Sequence, residues 1–188
     1  MSHFAQYTIA NAPHASKPLL EQVQQALGFV PNLYATFAES PAVLEGYLAL
    51  SASLDHGALS PAERQLVEIA VSTENSCSYC VAAHSTIAGK LKTRPEIVEA
   101  IRTGAPVGDA KLDALITFAR AVVRHKGFVP EAATATLLAA GYSKAQLLEV
   151  VGHVGLKVIA NYANALTNVP LDAAFQPHQW DAQQLKVA

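Results

Sequence analysis

Apolar positions along the chain recur every three or four residues instead of every second one, the period of a helix face and not of a strand. After Asp109, a capping residue, the stripe Leu112, Leu115, Ile116, Ala119, Val122 and Val123 predicts a helix that Lys126 and Gly127 close with a cation and a permissive backbone. Ser40-Pro41 predicts the start of another over PAVLEGYLALSASL. Ser60-Pro61-Ala62-Glu63 is a capping-box pattern ahead of PAERQLVEIAVST, and Thr93-Arg94-Pro95-Glu96 repeats the spacing ahead of EIVEAIRTG, which stops at Gly104. A shorter helix follows Pro130. From Ser143, KAQLLEVVGHVGLKVIANYANAL carries apolar residues nearly all round the wheel, which predicts a central helix enclosed by others or by a neighbouring subunit. Residues 1–35 are broken by Pro13, Pro18 and Pro31 and hold one short helix ending near Gly28. The sum is a compact all-α bundle of about seven to eight helices, one domain over 1–188 with irregular tails.

Composition strengthens the helical reading: 51% of the 188 residues are hydrophobic but only 7% aromatic, with Ala, Leu and Val dominant. Charged residues make up 15%, against about a quarter in ordinary soluble domains, so apolar surface is left over for a subunit interface and a homo-oligomer is expected. The formal net charge is −2 and no basic run occurs, so the counterion-release term behind nucleic-acid binding is missing. The start, MSHFAQYTIANAPHASK, lacks the order of a signal peptide, and Glu149 and Lys157 interrupt the longest apolar stretches. A cytoplasmic location and no membrane partner are therefore expected.

Both cysteines lie in CSYCVAAH, residues 77–84. In the cytosol such a pair stays reduced, which favours a reactive or metal-binding role over a structural staple. On a helix Cys77, Cys80 and His84 fall at roughly 0°, 300° and 340°, on one face, with His84 one turn from Cys80 and roughly 10 Å from Cys77. Asn75-Ser76 marks a helix boundary, so Cys77 stands near a helix N-terminus where N–H groups favour a thiolate. The dipole thus activates Cys77 and the imidazole activates Cys80, and the residues alone leave open which attacks first. Either sulfur can be oxidised to a sulfenic acid that the other displaces as a disulfide, with His84 moving the proton.

A zinc site is the alternative of a different class. Cys77, Cys80 and His84 supply three ligands, and His153 or a histidine of another subunit would have to be the fourth. Taken alone, His153 is a core histidine bonded to a neighbour, Tyr79 packs as wall, and Asn161, Tyr162 and Asn164 are structural hydrogen-bonders.

The run AVSTENSCSYCVAAHSTIA, preceded by LSPAERQLVEI, resembles the carboxymuconolactone decarboxylase-like superfamily, on its AhpD-like alkylhydroperoxidase branch; the likeness extends over about residues 19–175. The resemblance implies an oligomeric helical fold and a thiol-dependent hydroperoxide reductase with no cofactor beyond the cysteine pair. It also implies Cys80 as the peroxide-attacking thiolate, Cys77 as the resolving thiol, and a dithiol protein as reductant. Lactone decarboxylation is disfavoured, because the members that perform it are not defined by this cysteine pair. The chain departs from the pattern at the relay glutamate, whose place, with eleven residues between it and Cys77, is taken by Gln65. An amide cannot take up a proton at ordinary pH. Glu68, one turn on, is the replacement relay acid, with Gln65 orienting; a scaffold without chemistry is the competing outcome.

Overall fold

The computed structural model describes residues 4–184. Among them are nine α-helices: α1 (Lys17–Leu27), α2 (Asn32–Phe37), α3 (Pro41–Asp55), α4 (Pro61–Glu74), α5 (Ser78–Lys90), α6 (Pro95–Thr103), α7 (Ala110–Arg124), α8 (Glu131–Ala139) and α9 (Lys144–Thr167). Short 3-10 turns at His14–Ser16, Ala173–His178 and Ala182–Gln184 complete the chain, and no described residue forms a strand. The all-helical reading holds. The six-residue α2 is the element the sequence pattern did not predict.

Most of the predicted capping chemistry forms. Ser40 accepts from Val43 N–H, Ser60 and Glu63 close a reciprocal box, Asp109 accepts from two N–H groups, and Ser143 pairs with Gln146 in a second box. The box expected at Thr93 and Glu96 does not form. Pro95 takes the first helical position of α6, which makes Arg94 the N-cap and puts Thr93 one residue too early; its buried Oγ1 has no partner.

Within one chain the helix buried nearly all round is α4, whereas the one opened by Ser143 packs against α2, α3, α4, α5 and α7 and still keeps an outward stripe. Residues Leu66 through Thr73 are all buried, as α4 packs against α5, α6, α7 and α9. In α9 one face is buried through Val150, His153, Leu156, Lys157, Ala160 and Asn161. The opposite stripe of Leu148, Val151, Ile159, Tyr162 and Leu166 is exposed, Leu166 to 80%. Its wrap-around apolar pattern therefore combines a core face with an outward one.

The α4–α5 connection fixes the cysteine pair. Ser76 adopts φ +54°, its N–H bonds to Thr73 O at 3.1 Å, and Cys77 N–H bonds to Ser72 O at 2.9 Å. These two bonds are a Schellman ending. Cys77 is at once the residue that finishes α4 and the N-cap of α5, with extended backbone (φ −88°, ψ 92°).

Candidate active site

Three helices bring polar side chains into the interior. From α4 come Gln65 and Glu68, from α5 Cys80 and His84, and from α9 His153 and Lys157. Glu68 is 5% exposed, yet its carboxylate is fully engaged: Oε2 lies 2.8 Å from His84 Nδ1 and Oε1 lies 2.9 Å from His153 Nδ1. Gln65 Oε1 is 2.9 Å from the same His84 nitrogen. Both side chains assigned to the relay position thus reach His84, the acid from one turn further along α4, as the periodicity requires.

His84 does not use either ring nitrogen on a cysteine. Its Nε2 is 2.6 Å from the Lys157 ammonium, which donates, so Nδ1 carries the imidazole proton toward Glu68 and Gln65. Lys157 is 1% exposed; it also donates to Tyr47 Oη at 3.0 Å and lies 3.9 Å from Glu68 Oε2. The close approach of His84 to Cys80 expected from helical spacing is therefore replaced by a chain Glu68–His84–Lys157–Tyr47.

The charges follow from this arrangement. Burial alone would raise the Glu68 carboxyl, but Lys157, His84 and His153 hold it well below the usual carboxylate range. Burial would lower Lys157, but the Tyr47 oxygen, Glu68 and Cys80 together raise it above an ordinary lysine. Burial and the Lys157 charge keep His84 below its ordinary value, so it is a neutral imidazole at pH 7. The core thus holds one carboxylate and one ammonium bridged by a neutral ring.

Lys157 is a site member that the sequence pattern did not single out, and His153, expected in the core or as a fourth zinc ligand, joins it there. A signal existed: His153, Lys157 and Asn161 recur every fourth residue within an otherwise apolar helix, a polar stripe that a core-facing helix has no reason to carry. His153 is the core histidine expected, 2% exposed with Nδ1 bonded to Glu68, although its buried Nε2 has no partner. Of the three expected hydrogen-bonders on α9, Asn161 behaves so, accepting from Asn75 and donating to Ser72 Oγ. Tyr162 is exposed instead, and the buried Asn164 Nδ2 is unpartnered.

Both cysteines are free thiols and buried. The Cys80 thiol beside Cys77, then the Cys80 N–H and Asn161, lower the Cys77 pKa against the opposing effect of burial. Cys80, as donor to that sulfur and buried, is raised well above an ordinary thiol. The sulfur at the helix N-cap is therefore the more acidic of the two, chiefly through the Cys80 thiol that faces it. Access goes the other way, since Cys80, not Cys77, lines a cavity of about 70 Å³ together with His84, Lys157, Tyr34 and Tyr47. Leu33, Tyr79, Ala83, Ile87 and Phe175 give it apolar walls. Tyr79 is wall, as expected, held by donating to Asp172 at 2.6 Å and by an edge contact with Phe175. Among the described residues no three His, Cys, Asp or Glu side chains converge on a common metal position. Of the ligands proposed for zinc, His84 already has both ring nitrogens engaged.

Fold and site together define a helical protein with a buried CxxC pair opening on a small apolar cavity, the AhpD-like architecture. Residues 41–111, which span α3 to α6 and the cysteine motif, match the family model "Carboxymuconolactone decarboxylase family". Among solved structures, the alkylhydroperoxidase AhpD core of a peroxidase-related protein from Ralstonia eutropha superposes with a TM-score of 0.81 at 23% identity, over 93% of this chain and 96% of that one. A peroxidase-related protein from Silicibacter sp. gives 0.78 at 24%, over 92% and 93%. The debrominase Bmp8, crystallised with 2,3,4-tribromopyrrole, gives 0.80 at 19%, over 95% and 96%. A comparison with curated proteins finds no match. No described helix is long and apolar enough to cross a membrane.

Proposed function

We propose that the protein is a thiol-dependent hydroperoxide reductase in which Cys80 attacks and Cys77 resolves. The observation that carries this reading is that Cys80 lines the cavity while Cys77 stands behind it at the helix N-cap. A cavity of about 70 Å³ has on the order of five times the space one water needs. It suits the hydroperoxide head of a substrate whose apolar tail meets Leu33, Ile87 and Phe175.

The anion of the pair rests first on Cys77. Passing the Cys80 proton to Cys77 leaves a Cys80 thiolate, which is the better nucleophile because its thiol is the weaker acid. That thiolate takes one peroxide oxygen: the S–O bond forms, the O–O bond breaks, and the alcohol leaves once its oxygen is protonated. Cys77 then attacks the Cys80 sulfenic acid, water departs, and a disulfide closes. A dithiol protein restores both thiols at the cost of its own oxidation. Gln65 orients His84, and Glu68 with His84 handles protons behind the cysteines.

The expected result is loss of two titratable thiols for each equivalent of organic hydroperoxide added to the reduced protein, recovered with a dithiol. Two thiols still free after excess peroxide would refute the reading, and stoichiometric zinc in protein purified without chelator would replace it.

The aromatic lining from Tyr34, Tyr47, Tyr79 and Phe175 favours one second reading, in which the same thiolate removes a halogen from an aromatic ring, as the Bmp8 name describes for that protein. Halide release from a bromopyrrole in the presence of dithiol, with no peroxide consumption, would select it.

The assembly we propose is a homo-oligomer packed through α9. Its exposed Leu148, Val151, Ile159, Tyr162 and Leu166 follow the three-and-four spacing of a helix-packing seam. Light scattering should give a mass above one chain, and Leu166→Glu should lower it; a monomeric mass for the unmodified protein defeats the proposal.

A further inference from the structure

The buried ammonium of Lys157 has no part in the chemistry described so far. Its placement is specific. It lines the same cavity as Cys80, it is 1% exposed, and its nitrogen bonds to His84 Nε2 at 2.6 Å and to Tyr47 Oη at 3.0 Å. Two of the three N–H groups of an ammonium are therefore used. Glu68 Oε2, at 3.9 Å, is beyond hydrogen-bond reach, so one N–H is left for whatever occupies the cavity. His84 cannot fill that role, because its only ring N–H is directed to Glu68 and Gln65 and its other nitrogen is an acceptor occupied by Lys157.

We propose that Lys157 is the proton donor to the oxygen that leaves when Cys80 attacks the peroxide, a catalytic residue that rests on the reductase reading above. The step balances as follows. The Cys80 thiolate forms the S–O bond, the O–O pair passes to the leaving oxygen, and a Lys157 N–H proton moves to it, giving an alcohol and a neutral amine. The amine regains a proton from the pair's second thiol: Cys77 carries the proton it took from Cys80, and losing it makes the thiolate that resolves the sulfenic acid, whose oxygen leaves as hydroxide and becomes water by taking a proton from solvent. An alkoxide is a far stronger base than an amine, so the transfer runs downhill even from an ammonium stabilised by Glu68 and Tyr47. The Glu68–His84 pair keeps the ammonium in place and charged between turnovers.

The test separates proton donation from charge and from folding by changing the leaving group. An alkyl hydroperoxide must expel an alkoxide, whereas a peroxy acid expels a carboxylate that needs no proton. Single-turnover oxidation of Cys80 is measured with both for the unmodified chain, Lys157→Met and Lys157→Arg, with far-UV circular dichroism as the folding control. Arginine keeps the positive charge but does not release a proton in the working range, so it stays informative if methionine unfolds the chain. We expect both variants, or the one that folds, to be slowed roughly 10²-fold or more with the alkyl hydroperoxide and less than about tenfold with the peroxy acid, the range for a lost general acid. Equal slowing with the two oxidants, or none, overturns the role of Lys157 and leaves the reductase reading intact. An unmodified chain that is oxidised by neither removes the reductase reading and this proposal with it.

Discussion

Glu68→Ala will lower the unfolding free energy by about 3–5 kcal/mol, the cost of removing one partner of a buried ion pair and stranding the other. For a chain of this length that is a fall of roughly 6–20 °C in Tm. The magnitude follows from burial. Lys157 is 1% exposed, and besides Glu68 the groups that face its charge, His84, Tyr47 and the Cys80 thiol, are neutral in the resting protein. His153 loses the acceptor of its Nδ1–H in the same change, and His84 keeps only Gln65. The double variant Glu68→Met with Lys157→Met removes both charges and should recover much of the loss, because an apolar replacement of a whole buried pair is close to neutral. A single variant within about 1 kcal/mol of the unmodified protein would mean that the pair is solvated, against its burial.

The same cluster sets an acid limit. Glu68 is held well below its ordinary 4.5 and His84 below its ordinary 6.5, so in both cases the unfolded chain binds the proton first as pH falls. Their contribution is complete above about pH 6.5. It declines first as pH drops below 6.5 toward the lowered His84 value, and again from 4.5 down through that of Glu68. In His84→Gln the earlier part of the decline should vanish while the later part stays.

Cys80→Ser will abolish peroxide turnover, a loss of roughly 10³-fold or more as for other removed nucleophiles. Cys77→Ser will behave differently. The Cys80 sulfur still faces the cavity, so one equivalent of peroxide should be consumed and the sulfenic acid should persist, trappable by a cyclic dione, with no disulfide and no recycling. The contrast matters because acidity and access sit on different sulfurs. Cys77 is the more acidic, through the Cys80 thiol facing it and then the Cys80 N–H at the helix start, and a rate governed by thiolate population alone would make it the nucleophile. If Cys80→Ser accumulates a sulfenic acid at Cys77 and Cys77→Ser is inert, the order of attack is reversed.

Local chemistry wrote much of this molecule into its sequence. Ser40, Ser60, Asp109 and Ser143 start their helices because each needs only the N–H groups of the next turn. Cys80 and His84 share a helix face and the cavity because the spacing is periodic, and Glu68 reaches His84 because it lies one turn from Gln65. Where a single residue shifted the local frame, as Pro95 did for Thr93, the pattern failed by one position.

Contacts between helices far apart in the chain were decided by packing alone. Lys157 is 73 residues from His84, and His153 is 85 from Glu68; no periodicity within one helix states which other helix a polar stripe will meet. That α4 is buried nearly all round while α9 keeps an outward stripe depends on the sides from which their neighbours pack, which is likewise a property of the assembled bundle. The sequence therefore determined the helices, the cysteine motif and its histidine. Tertiary structure decided that a buried lysine stands beside that histidine on the cavity wall, because a charge enters the core only where a partner from another helix is already waiting for it.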